Sequence, residues 1–355
     1  MFMSALLHAP TLCCLFGSCP SPSSSKLKNR FLMASSVRIA VVGDVHDDWN
    51  LEEDTKALQL LRPDLVLFTG DFGNENVELV RSIADLKFAK AIILGNHDAW
   101  STQQFAQRRK DRVQLQLECL GEEHVGYRRL DFPMLKLSIV GGRPFSCGGE
   151  QLFRKRLLAE RYGVHDMNGS AKRIYEAAIG TPEDHLVILL AHNGPTGLGS
   201  NLNDICGKDW VFGGGDHGDP DLANAISHLK ETTKFSIPLV VFGHMHKELA
   251  HGNGLRKMIV LGTDNTIYLN GAIVPRVKSL GDEQKTNNRS FMNNEIPVTI
   301  PEAEGTVRAF TLVEIVDGKL EKIAETWISV IGDKTTLEEE NILFTTGPRE
   351  IDAGI

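Results

Sequence analysis

The sequence predicts an α/β protein built on a parallel sheet, and three observations carry that expectation. Short, largely apolar runs of strand length recur along the chain: Val37 to Val42, Leu65 to Phe68, Ala91 to Leu94, Leu135 to Val140, His185 to Leu190 and Leu239 to Phe242. Leu65 to Phe68, Ala91 to Leu94 and Leu239 to Phe242 are unbroken where a half-exposed strand would alternate, which is the pattern of strands buried on both faces. Between the first three lie segments with helical spacing and short loops, a βαβαβ run that implies right-handed crossovers. Five of these runs also end beside glycine and a cluster of Asp, His or Asn, and the carboxyl ends of strands are where open α/β sheets bind ligands.

The first run ends at Gly43-Asp44-Val45-His46. Leu51 to Arg62 has helical spacing, with Leu51, Leu58 and Leu61 on one face, and Pro63 closes it. The second run ends at Thr69-Gly70-Asp71, residues 75–87 read as a helix, and the third run delivers Gly95-Asn96-His97-Asp98. Ser101 to Leu120 reads as helical. The strand from Leu135 ends in Gly141-Gly142-Arg143-Pro144, and residues 150–180 are helix-like. His185 to Leu190 leads to Ala191-His192-Asn193-Gly194-Pro195. The Gly-rich residues 197–220 then form a long loop, a feature that is usually functional or disordered. Asp221 to Lys230 is helical, and Leu239 to Phe242 ends in Gly243-His244-Met245-His246.

Further strands are expected at 256–261 and 266–273, with a polar, exposed connection from about Lys278 to Gly305. Thr306 to Val330 alternates around Asp317-Gly318, a hairpin signal, and is expected to pair onto the main sheet. Residues 333–355 read as a loose tail, which places one domain at 37–332.

Before Asp44 there is no acidic residue. That leader holds the Ser-rich stretch Ser18 to Ser25 and the bases Lys26, Lys28 and Arg30, a composition that fits a plastid transit peptide over residues 1–33. A secretory signal is the competing reading, because Leu6 to Phe16 is fairly apolar, although His8 and Pro10 interrupt it. Met33 offers an internal start that would give a cytosolic form. The whole chain of 355 residues is 42% hydrophobic and 24% charged, with net charge −8. That balance is ordinary for a soluble globular protein and argues against a nucleic-acid partner. No stretch is apolar for long enough to span a membrane. The cysteines Cys13, Cys14, Cys19, Cys119, Cys147 and Cys206 include no CxxC pair, so neither a disulfide scaffold nor a cysteine zinc site is expected.

Collected, the strand-end groups are Asp44, His46, Asp71, Asn96, His97, His192, His244 and His246. Carboxylate oxygen mixed with imidazole nitrogen suits Mn, Fe or Zn ions. In D-x-H and H-x-H an extended backbone turns both side chains to one side. Each residue has a plainer alternative: Asp44 or Asp71 as a helix cap, Asn96 in a left-handed turn, a lone histidine in solvent. Dismissing the constellation requires all eight alternatives to hold together.

The ordered blocks D-x-H, GD, GNHD, H and GHxH resemble the calcineurin-like metallophosphoesterase superfamily, over residues 37–246. The resemblance implies a four-layer α/β/β/α sandwich of two mixed sheets flanked by helices, with two metal ions at the strand ends. Asp44, His46, Asp71 and His246 would hold one ion. Asp71 would bridge to a second held by Asn96, His192 and His244. A hydroxide bridging the ions would attack the phosphate ester, and His97 would contact the phosphate with Asn96 or protonate the leaving oxygen. Two ions roughly 3.5–4 Å apart clamp both oxygens of an in-line displacement. The implied protein is a hydrolase acting on a small-molecule or nucleotide-type phosphate ester, as phosphomonoesterase or phosphodiesterase.

Protein phosphatases of the superfamily carry GDYVDRG and GNHE. Gly70-Asp71-Phe72-Gly73-Asn74-Glu75-Asn76 and GNHD depart from both, so the chain looks closer to small-substrate enzymes and, with its leader, to a plant or cyanobacterial plastid type. Arg143 is a candidate phosphate grip. Asp216 to Pro220 reads as a solvated loop, with a lid and a second acid at His217 as the other reading. Asp98 is expected to brace its turn. Asp47, Asp48 and Trp49 start a helix, or Trp49 stacks on substrate. The alternative function is a metal-stabilised scaffold that binds a protein without turnover.

Overall fold

The structure is a computed structural model that describes residues 36–252, 254–280 and 305–347; residues from Ala34 onward form one compact unit. The leader and most of the polar connection at 278–305 lie outside the described residues. Two mixed sheets stack face to face. In the first, β1 (Ser36–Val42), β2 (Leu65–Phe68) and β3 (Lys90–Ile92) are parallel. On the other side of β1 runs an antiparallel meander of β11 (Thr306–Val316), β12 (Lys319–Ile331) and β13 (Lys334–Thr345), and short β10 (Val277–Ser279) also pairs with β11.

The second sheet has the order β4-β5-β6-β7-β9-β8. Its strands are β4 (Arg129–Phe132), β5 (Leu137–Gly141), β6 (Leu186–Leu190), β7 (Leu239–Phe242), β8 (Ile259–Leu261) and β9 (Ile267–Asn270). The four central strands are parallel and the two edges antiparallel.

The alternation within each apolar run explains the layers. Ile39 and Val41, Leu65 and Leu67, Ile188 and Leu190, and Leu239 and Val241 point into the core between the sheets. Ala40, Val42, Val66, Phe68, Val187, Leu189, Val240 and Phe242 point outward into the core under the helices. Both faces are dry, so the runs carry no polar alternation. The covering helices are α1 (Leu51–Leu61), α2 (Val77–Ala84), α3 (Arg112–Leu120), α4 (Lys155–Tyr162), α5 (Met167–Ala178) and α6 (Pro220–Thr232). This is the α/β/β/α sandwich that the motifs implied.

Local chemistry sets the boundaries. Asn50 caps α1 by accepting from the N–H groups of Glu52 and Glu53, and Arg62 ends it at φ 51° ahead of Pro63. The helix expected from Ser101 starts only at Arg112. Buried Glu75 accepts from the backbone N–H of Ser101 and Thr102 at 2.7 and 2.6 Å, which holds that segment non-helical, and Asp111 and Gln114 form the capping box that starts α3. Asp317 (φ 49°) and Gly318 (φ 76°) make the two-residue turn between β11 and β12, as their order predicted. The loose tail expected at 333–355 is wrong over most of its length. β13 pairs with β12 from Lys334 to Thr345, and Leu343 and Phe344 pack against the inter-sheet core.

Candidate metal centre

Strand ends from both sheets converge at one edge, and the backbone there is strained. Asp44 (φ 42°), His46 (φ 44°), Asp71 (φ 53°) and His244 (φ 67°) all adopt left-handed conformations that non-glycine residues avoid. Such outliers persist where surrounding structure holds them, and they concentrate at functional sites. Two of the glycines are there for room. A Cβ on Gly95 would lie 2.3 Å from Asp71 Oδ1, and one on Gly243 would lie 2.2 Å from Asp44 Oδ1. Both carboxylates can therefore sit directly over a neighbouring backbone.

Asp98 braces the turn, as expected. Its carboxylate accepts from the N–H groups of Asp71, Phe72 and Gly95 at 2.9, 2.9 and 2.8 Å, tying the second strand end to the third. Asp44 is anchored by the His244 N–H at 2.9–3.0 Å and by the Thr69 hydroxyl at 3.3 Å.

Three overlapping ligand groups result, each with its donor atoms within 4.8 Å of one another: Asp44, His46 and His246; His46, Asp71 and His97; Asp71, His192 and His244. Asp71 faces both ends of the site. Its Oδ2 is 3.9 Å from His46 Nε2 and its Oδ1 is 3.4 Å from His192 Nε2. Asn96 Oδ1 lies 2.9 Å from the same His192 nitrogen. His46 Nε2 and His246 Nε2 are 3.0 Å apart, and His246 Nε2 is 3.5 Å from Asp44 Oδ2.

These contacts fit metal ions better than they fit each other. His192 Nδ1 donates to the Thr69 carbonyl at 2.7 Å, so whenever the ring is neutral its Nε2 lone pair faces two oxygens, Asp71 Oδ1 and Asn96 Oδ1. Acceptors facing acceptors need a cation or a proton between them. Separations of 3.0–3.5 Å between donor atoms are what ligand bonds of about 2.0–2.2 Å to one ion produce.

The electrostatics agree. Burial opposes protonation of His192, but the Asp71 charge and hydrogen bond outweigh it and push the ring up to about 10. Burial works to raise Asp44, yet the hydrogen bond from His246 and the His192 charge hold it below its ordinary value. His244 is depressed to about 3 by burial and then by its neighbour His192. The buried carboxylates thus favour a positive charge at His192, while burial and that charge disfavour a second one on His244.

His97 lies beside the ligand groups in a fixed orientation. Its Nδ1 is 2.7 Å from Asn74 Oδ1, its ring stacks on Trp100 at 4.7 Å and 9°, and its backbone N–H donates to Asp71 Oδ1 at 2.8 Å. Asn74 and Trp100, which hold His97 in this orientation, were not among the residues the motifs pointed to. Trp100 had no signal, whereas Asn74 sits within the Gly70 to Asn76 block already singled out.

Arg143 requires correction. Its side chain is 1% exposed and pairs with carboxylates, Nη2 2.8 Å from Asp219 and Nε 3.0 Å from Asp221. Two carboxylates brought by the start of α6 consume it. Asp216 to Pro220 is no solvated loop, because Asp219 is buried and bridges pair Gly207 with Asp216 and Pro195 with Asp219. His217 stands 5.8 Å from the His244 ring. Trp49 is structural, donating to Ser82 Oγ at 3.1 Å and packing edge-on to Phe68.

A mixed α/β/β/α sandwich that gathers carboxylate and imidazole from both sheets at one edge defines a metal-dependent hydrolase class. The family model of calcineurin-like phosphoesterases matches residues 37–248, and the chain belongs to that family. None of the curated proteins matches the sequence. Among solved structures it is similar to a dimetal phosphatase from Danio rerio, at 8% identity and TM-score 0.38, covering 87% of this chain and 99% of that one. It is also similar to a conserved uncharacterized protein, a predicted phosphoesterase, from Streptococcus pneumoniae, at 12% identity and TM-score 0.30, covering 86% and 98%. Among the described residues no helix is long and apolar enough to cross a membrane.

Proposed function

We propose that the protein hydrolyses a small-molecule or nucleotide-type phosphate ester, mono- or diester, at a dinuclear centre of Mn, Fe or Zn ions. The observation that carries this reading is Asp71, whose two oxygens face His46 on one side and His192 on the other. One ion would take Asp44, His46, Asp71 and His246, and the other Asp71, Asn96, His192 and His244. Bound there, two divalent ions neutralise phosphoryl charge and activate water for attack.

The chain's own groups supply the rest. Asn96 Oδ1 is committed to the second ion's group, which leaves its Nδ2 to donate to a phosphoryl oxygen. With its Nδ1–H donated to Asn74, His97 presents Nε2 to the site, where the protonated ring hands a proton to the leaving oxygen as the P–O bond breaks. Stacking on Trp100 keeps that nitrogen aimed. The acid-free leader supports import into the plastid stroma, with a cytosolic form from Met33; a fluorescent fusion of residues 1–40 tests the address.

The deciding experiment is metal content with hydrolysis of paired mono- and diester aryl phosphates. The expected result is two ions per chain and Mn-dependent turnover, both lost in Asp71→Ala. Turnover surviving in a folded Asp71→Ala protein overturns the reading.

A further inference from the structure

We infer that the ester's leaving group carries a flat ring and a second negative charge, both received by a cavity beside the metal centre. The inference rests on the phosphoesterase reading above and names the substrate class of the same site. The cavity, about 780 Å³, is far larger than one phosphate needs. Cys147, Phe153, Arg154, Lys208, Trp210 and His217 are among its lining residues.

Two of its walls are continuous with the catalytic groups. On one side, His97 stacks on Trp100, and Trp100 meets Phe153 at 6.4 Å. On the other, His244 faces His217 at 5.8 Å, and Trp210 sets its ring edge-on to His217 at 4.8 Å. A leaving group departing past His97 therefore enters this space.

The lining is chemically selective. Trp210, which lines the cavity, is 53% exposed, and Trp100, which borders it through Phe153, is 47% exposed, although tryptophan is a residue that folding normally covers. Exposed aromatic faces flanking a reaction site offer stacking to a planar ring, about 1–3 kcal/mol per base where such stacking has been measured.

Two cations share the cavity without a carboxylate partner among the described residues. Arg154 lies 4.2 Å over the Phe153 ring and donates only to carbonyls, those of Ala99 (2.6 Å) and Trp100. Lys208 is half-buried, and its ammonium makes no ion pair or hydrogen bond among the described residues. The two carboxylates of the cavity do not answer them. Asp216 accepts from the N–H groups of Gly197 and Gly218, and Glu150 is exposed. Elsewhere the protein pairs its buried cations: Arg143 with Asp219 and Asp221, Arg276 with Asp54, Arg256 with Asp209. Two cations left unpaired beside exposed rings are a receptor for an anion attached to a ring.

The test measures phosphate release by the full chain loaded with Mn²⁺, from glycerol 3-phosphate, adenosine 5′-monophosphate and adenosine 3′,5′-bisphosphate. The expected kcat/KM rises about tenfold on adding the ring and about tenfold again on adding the second phosphate. In Lys208→Ala the bisphosphate-to-monophosphate ratio falls toward one, and in Trp210→Ala the advantage of the ring is lost. Equal kcat/KM for all three esters, or a bisphosphate preference untouched in Lys208→Ala, overturns the inference and leaves the phosphoesterase reading standing. No release from any of the three, together with no turnover of aryl phosphates, overturns both.

Discussion

Replacing Arg143 by methionine separates a structural cation from a substrate-gripping one. The guanidinium is 1% exposed and neutralises Asp219 and Asp221 at 2.8 and 3.0 Å, while Asp219 also accepts from Ser146 Oγ at 2.7 Å. Removing one partner of such a pair strands the other charges in a dry interior, at a cost of about 3–5 kcal/mol. In a domain of about 300 residues that corresponds to a fall in Tm of roughly 5–8 °C.

The deficit depends on pH with a definite sign. Even with Arg143 present, burial pushes Asp219 up to about 7, Arg143 opposing. Without the cation the folded state holds this proton more tightly still, and the unfolded state does not. A group whose folded pKa is raised contributes stability that is complete below its unfolded value and is lost as pH rises through its folded value. The Arg143→Met protein is therefore closest to wild type at about pH 5 and furthest from it at about pH 8, and adding Asp219→Asn and Asp221→Asn recovers stability at the alkaline end. Thermal melts across pH, with KM for an aryl phosphate measured on the folded fraction, decide the matter. A Tm unchanged from wild type, with KM raised tenfold or more, would refute this account and return Arg143 to the substrate.

Three further outcomes are expected. Lys247 directly follows His246 and binds Glu325 on β12 at 2.7 Å through both carboxylate oxygens, and Glu325 also accepts from Trp327. Glu325→Gln accordingly weakens Mn²⁺ binding about tenfold, measured by titration calorimetry; unchanged affinity shows that the meander does not steady this ligand. His124 is buried and depressed to about 3 by burial and then by the charges of Arg161 and Arg128. As pH falls from 6.5 toward 3 the unfolded chain takes a proton that the native state refuses, a loss of up to about 1.4 kcal/mol per pH unit. His124→Leu makes the acid limb of the stability curve shallower, and an identical slope contradicts it. Truncation after Gly332 strips β13 and uncovers the core that Leu343 and Phe344 pack against; a Tm drop above roughly 10 °C or aggregation is expected, whereas a dispensable tail would leave the melt unchanged.

Much of the fold was legible because its signals are local. A strand covered on both faces must be continuously apolar, so Leu65–Phe68 and Leu239–Phe242 announced themselves to the residue. Asp317-Gly318 specified its own turn. Misreadings arose where a distant group decided the local state. Ser101 and Thr102 are held out of a helix by Glu75, and the charged run Glu338 to Glu340 reads as a solvated tail until β12 supplies a ladder for it.

The candidate site divides along the same line. By itself the sequence determined which chemistry each strand end carries: carboxylate at Asp44 and Asp71, amide at Asn96, imidazole at His46, His97, His192, His244 and His246. It also determined the family, because those blocks depend on residue identity and short spacing. Only the tertiary structure decided that Asp71 faces both sides of the site, that Asn74 and Trp100 aim His97, and that Arg143 is spent on Asp219 and Asp221 from α6. It also decided that, among the described residues, Lys208 and Arg154 are left without carboxylates. Those outcomes are set by which charges meet across 76 residues of chain, or between two sheets, after water is excluded. Whether a charge is neutralised depends on its neighbours in space, and side-chain identity alone does not carry that information.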